Sequence, residues 1–124
     1  MVNAVLVTHG FLGAELLRTV EGILGPQDGV GFVSNTASSL ETLSDQVRRL
    51  LSREEDPVLL LVDLLGGSCS HACQEIRHLH RNIVLISGVN LPMLLEFFYN
   101  RDRIPFEELV QRLCEKGKDG IRCL

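Results

Sequence analysis

Apolar positions along the 124-residue chain follow two rhythms. Short unbroken runs alternate with stretches in which apolar residues recur every three or four positions, the spacing of one helix face. Residues 2–8 predict a first strand. Leu16, Leu17, Val20, Ile23 and Leu24 predict a helix that Gly25-Pro26 ends. Residues 29–34 read as a short second strand. Ser38 with Glu41 three positions later is a capping-box signature. It predicts a helix whose core face is Leu40, Leu43, Val47, Leu50 and Leu51. Residues 57–65 are almost wholly apolar, as a central parallel strand covered on both faces should be. Asp63 interrupts that run near its end. Gly66-Gly67-Ser68 reads as a loop, followed by a third helix to about His80. Residues 82–87 predict a fourth strand. Two more helices are expected over 91–100 and 106–116, the second entered by Pro105 and ended near Gly117. Residues 120–124 read as a short last strand.

Strand and helix alternate along the whole chain, which argues an α/β domain: a doubly wound, mainly parallel sheet with helices on both faces. Right-handed crossovers leave few topologies, and the commonest at this size places strand one between strands two and three, giving the order 2-1-3-4. A chain of 124 residues is long enough for one core, so residues 1–124 are expected to form a single domain. With 45% hydrophobic and 23% charged residues it belongs among globular proteins. The net charge of −4 and the lack of a basic stripe argue against a nucleic-acid partner. Neither a membrane-spanning run nor a signal peptide is expected. Cys69, Cys73, Cys114 and Cys123 are not spaced as a disulfide framework, and a reducing cytoplasm suits them best.

The candidate chemistry lies at strand ends. His9 closes the first apolar run and Asp63 the third. In the expected topology these two strands are neighbours whose helices leave on opposite faces, and the crevice between their carboxyl ends is where such folds bind ligands. A carboxylate bonded to one imidazole nitrogen sets the tautomer and leaves the other nitrogen as a nucleophile. Gly66, Gly67 and Ser68 would add backbone N–H groups, a hydroxyl and a helix N-terminus, the ingredients of a phosphate cradle. Each residue alone has a plainer reading: a loop histidine, a turn-capping aspartate, an ordinary glycine loop. Together they point to phosphoryl transfer onto histidine.

Three segments in register carry a family resemblance: Thr8-His9-Gly10, Asp63-Leu64-Leu65-Gly66-Gly67-Ser68 and Gly88-Val89-Asn90-Leu91-Pro92-Met93-Leu94. They resemble the IIA (EIIA) component of the mannose-type bacterial phosphotransferase system, the group that serves mannose, fructose and sorbose, and the likeness runs along essentially the entire chain. The resemblance implies a phosphotransferase role. His9 would take phosphate from the carrier HPr and pass it to an EIIB component; Asp63 would orient the ring, and Ser68 would hold phosphoryl oxygens. It also implies a homodimer in which a C-terminal strand, here residues 121–124, crosses to the partner's sheet. It implies no metal and no small-molecule cofactor, and contact with a membrane only through a permease complex. The sugar is not written in this component.

The chain departs from the family pattern after Gly-Gly-Ser, where proline is usual and an asparagine follows two residues on. Cys69 and His71 stand there instead. Loss of the proline should loosen the start of the third helix. Cys69 is a candidate for a lowered thiol pKa at a helix N-terminus, or simply a small residue the loop tolerates. Protonated, His71 would attract a phosphoryl group. Cys69, Cys73 and His80 share a helical stripe, but ~16 Å of axis from first to last is too far for one ion. His78 and His80 suit a solvated helix end. Cys114 continues an apolar stripe and reads as core. Asn90 and Pro92 suit a helix start. Met93, Leu94 and Leu95 suit core or dimer interface. Phe97, Phe98 and Tyr99 suit core, with one ring available to a partner. Two alternatives remain: a stand-alone regulatory EIIA-like protein that signals by its phosphorylation state, resembling domains of transcription regulators, and a flavodoxin-like cofactor binder. The second is disfavoured because the first strand-helix turn lacks a run of small and hydroxyl residues.

Overall fold

A computed structural model describes residues 1–36, 39–51 and 56–124. Four strands form one parallel sheet: β1 (Asn3–Thr8), β2 (Val30–Ser34), β3 (Val58–Val62) and β4 (Ile83–Ser87). Their order is β2-β1-β3-β4, as the crossover argument predicts. Five helices complete it: α1 (Leu12–Leu24), α2 (Leu40–Leu50), α3 (Gly67–Arg77), α4 (Leu91–Asn100) and α5 (Phe106–Asp119).

Strand alternation sorts the core into two layers. Ala4, Leu6, Leu59 and Leu61 face Leu17 and Val20 of α1, Met93, Leu94 and Phe97 of α4, and Leu109 and Leu113 of α5. Val5, Val7, Leu60 and Val62 face Leu43 and Val47 of α2 and Cys69, Ala72, Cys73 and Ile76 of α3. Every residue of β3 is buried, which explains its continuous apolar run. Helices α1 and α3, which follow the adjacent strands β1 and β3, therefore lie on opposite sides.

Several boundaries and faces differ from expectation. The run 57–65 predicts more strand than forms: β3 stops at Val62, and Leu64 and Leu65 are 59% and 70% exposed. An apolar pattern cannot reveal that the chain leaves the sheet at Asp63. Ile23 and Leu24 continue the α1 stripe but are exposed, because the buried positions of that helix end at Val20. Leu40 and Leu50 of α2 are likewise exposed at its two ends, while Leu43 and Val47 are covered. Ser38 lies outside the described residues. The described N-cap of α2 is Ser39, whose hydroxyl oxygen accepts from the Thr42 N–H at 3.2 Å. Gly67 and Ser68 belong to the first turn of α3, which ends at Arg77 and not near His80. Gly117 does not end α5. It lies inside the helix, buried against α4, where an added Cβ would come 3.0 Å from the flexible end of Met93. Asn90 fastens the same junction: its side-chain oxygen accepts from Met93 N–H at 3.0 Å and its amide donates to the Gly117 carbonyl at 2.9 Å. Residues 121–124 pair with no strand among the described residues.

Candidate functional site

The β1–β3 register pairs Val7 with Val62, so Asp63 leaves β3 level with Thr8, one position before His9, and the two side chains meet just beyond the strand ends. The carboxylate holds the histidine twice. One oxygen, Oδ2, accepts from the His9 backbone N–H at 3.1 Å and lies 3.0 Å from ring Nδ1; Oδ1 lies 3.2 Å from the same nitrogen. An ionised carboxylate only accepts, so Nδ1 carries a hydrogen, and in the neutral ring Nε2 keeps its lone pair. The imidazole side chain is 44% exposed and the carboxylate 12%, an open ring against a sheltered acceptor.

The floor beneath the ring is built from short-range bonds. Thr8 is buried, and its Oγ1 accepts from the Gly13 N–H at 2.7 Å, which ties the start of α1 to the end of β1. Leu12 N–H then bonds the His9 carbonyl at 3.3 Å. Beside the ring, Gly67 sits with φ +82°, and a Cβ placed there would lie 3.8 Å from His9 Nε2. The first turn of α3 therefore abuts the His9 ring. Its leading N–H groups lack intrahelical partners, and the helix dipole adds partial positive charge at the same place. A small anion reaching Nε2 meets that helix end and the exposed Ser68 hydroxyl.

The expected pair of His9 and Asp63 thus meets, with Gly67 beside the ring and Gly66 and Ser68 flanking Gly67 along the chain. One residue escaped the sequence reading. Asn35 follows β2 at the same edge of the sheet, accepts from the Gly10 N–H through Oδ1 at 3.2 Å and reaches Ser68 Oγ with its amide at 3.5 Å. It links the histidine turn to the α3 turn. The only signal for it was a polar amide directly after a strand bordering β1.

Other candidates fall elsewhere. His71 Nε2 pairs with Glu75 at 3.2 Å, one helical turn on. The suggestion of a lowered Cys69 pKa is overturned: burial pushes the thiol up, the Asp63 charge pushes it further, and a bond with Ser68 only partly offsets them. Burial, aided by Cys69, likewise drives Cys73 up to about 12. Cys69 and Cys73 are core thiols of α3. Asn90 and Pro92 are spent on the α4–α5 junction.

Among the described residues no helix is long and apolar enough to cross a membrane. Residues 3–114 match the family EIIA-man, the PTS system fructose IIA component. The PTS system mannose-specific EIIAB component of Escherichia coli (strain K12) is 37% identical over 127 residues; the match takes in 99% of this chain and 39% of that relative's length. The PTS system fructose-specific EIIA component of Bacillus subtilis (strain 168) is 27% identical across 91% of this chain and 80% of its own. Among solved structures, phosphotransferase system component EIIA from Streptococcus agalactiae superposes with a TM-score of 0.92 at 25% identity, covering 99% of this chain and 97% of that one. A strand-end histidine held by a neighbouring strand's carboxylate, on a sheet of this order, accompanies these likenesses along the whole chain, and the protein belongs to the EIIA-man family of phosphotransferase-system IIA components.

Proposed function

We propose that this chain is a phosphohistidine carrier of a bacterial sugar phosphotransferase system, accepting a phosphoryl group from HPr on His9 and handing it to an EIIB component. The observation that carries the reading is the Nδ1–Asp63 contact at 3.0 Å, which leaves Nε2 free beside the N-terminus of α3. Nε2 attacks phosphorus while the donor's P–N bond breaks and its electron pair returns to the donor ring. The new N–P bond leaves His9 cationic at Nδ1–H, and Asp63 stabilises that charge. The α3 N-terminus and Ser68 hold the phosphoryl oxygens, so catalysis is mainly positioning and charge stabilisation. Passing the group on reverses the same steps. Phe11, Leu64 and Leu65 stand exposed next to His9 and Asp63 in sequence and form an apolar rim for the protein partners. Such contacts must be small and brief, and all of this takes place in the cytoplasm.

Incubation with enzyme I, HPr and phosphoenolpyruvate, followed by peptide mass spectrometry, tests the reading. The expected result is one acid-labile phosphate on His9. Labelling at His71, His78 or His80, or no labelling, would overturn it.

Gly67→Ala probes the cradle. The new methyl would occupy the position 3.8 Å from Nε2, where an anion must approach, and would force alanine into φ +82°. Strain of roughly 1–2 kcal/mol and a loss of phosphate acceptance of at least ~10-fold are expected, read by thermal melting and labelling rate.

The C-terminus bears on assembly. β4 is an edge strand, and Ile121 and Leu124 are exposed on the single chain. In the proposed homodimer residues 121–124 add to the partner's sheet. Deleting them is expected to shift the protein to monomer in sedimentation; a truncated chain that stays dimeric contradicts the exchange.

A further inference from the structure

The fold brings a third metal-ligating group to the histidine–aspartate pair. One nitrogen of His9, one carboxylate oxygen of Asp63 and the Cys69 sulfur all lie within 4.8 Å of one another. The three come from different places: the end of β1, the end of β3 and the buried side of α3's first turn. Ligand atoms around a tetrahedral zinc with bonds of about 2.0–2.3 Å stand roughly 3.3–3.8 Å apart, so an ion between these atoms needs them to close by no more than ~1.5 Å. We propose that His9, Asp63 and Cys69 form a zinc site whose occupation switches off phosphoryl acceptance.

Ligand chemistry selects the ion. Imidazole, thiolate and carboxylate together suit zinc, whereas calcium and magnesium favour all-oxygen sets. Three protein ligands leave a fourth position for water, reached from the exposed face of His9. Charge agrees: one thiolate and one carboxylate neutralise a dication in a sheltered place. Binding displaces the Cys69 thiol proton to solvent, and the dication then holds the thiolate and the Asp63 carboxylate together. Inhibition follows from the ring's electron count. If Nε2 binds the ion, its lone pair is used. If Nδ1 binds, the ring's hydrogen moves to Nε2. Neither form can attack phosphorus. This consequence, though not the binding itself, rests on the phosphocarrier reading.

The test uses the reduced full chain in a Cys123→Ser background, which removes the exposed thiol. Zinc binding is measured by equilibrium dialysis, and cobalt as a spectroscopic substitute reports sulfur ligation through its near-ultraviolet charge-transfer band. One ion per chain, that band, and labelling of His9 that falls in step with zinc occupancy are expected. Cys69→Ala should abolish the band and weaken zinc binding by more than the roughly 10–100-fold typical of losing a supporting group. A parent chain that binds no zinc, lacks the band, or is labelled equally well when zinc-loaded overturns the proposal. So does a folded Cys69→Ala chain with unchanged affinity. A chain that binds zinc through Cys69 yet takes no phosphate in metal-free buffer sustains the site and overturns the carrier reading instead.

Discussion

His9→Ala is expected to abolish phosphate acceptance from phosphorylated HPr, a loss of at least ~10³-fold, while the melting temperature stays close to that of the parent. The size follows from the proposed chemistry: alanine has no nucleophile, and no second imidazole stands in for it. His71, the other histidine near the start of α3, is paired with Glu75. The fold survives because the side chain is 44% exposed and fills no core. The backbone N–H of residue 9 still bonds Asp63, so removal of the ring leaves the carboxylate with a partner. A stability change within about 0.5 kcal/mol is therefore expected. Normal labelling of the mutant would end the assignment of His9 as acceptor. Loss of labelling together with loss of the folding transition would make the defect structural.

Asp63→Asn is expected to slow single-turnover transfer by roughly 10²–10⁴-fold without unfolding the domain. An amide has one acceptor oxygen where the carboxylate has two, and no charge. Turned with its oxygen to the backbone N–H of His9, it offers a donor to Nδ1, which favours the tautomer with hydrogen on Nε2. Turned the other way, it still cannot stabilise the imidazolium formed as phosphate arrives. Both orientations weaken the step His9 performs, and neither removes His9. A slow but complete labelling reaction therefore separates this variant from His9→Ala. An unchanged single-turnover rate would strip Asp63 of its orienting role. The cost in stability should be about 1 kcal/mol, the net worth of a partly exposed hydrogen bond.

The two carboxyl-terminal strand residues illustrate how far a sequence can be read. His9 and Asp63 are each visible as polar interruptions at the end of an apolar run, and the parallel order β2-β1-β3-β4 puts those ends together. That they touch depends on register. Val7 opposite Val62 leaves Asp63 one position short of His9, so the pair is closed by the turns that follow β1 and β3, where the His9 N–H bonds the Asp63 carboxylate. Asn35 was invisible for the same reason: its bonds to the Gly10 N–H and to Ser68 span 25 and 33 positions along the chain. Of the two readings of Cys69, the lowered pKa fails because burial outweighs the helix N-terminus. Here the thiol lies in the core and next to a carboxylate.

By itself the sequence determined what is local: the order of strands and helices, the completely covered β3, the capping amide Asn90 and the two polar residues closing β1 and β3. Local periodicity encodes these because neighbours along the chain share the faces they present. Tertiary structure decided which apolar residues are covered, leaving Leu64 and Leu65 outside, and that Gly117 packs against α4. It also decided that a buried thiol stands within 4.8 Å of a histidine nitrogen and a carboxylate oxygen. Those outcomes come from packing between elements far apart in the chain, where distance and burial are set by every layer at once.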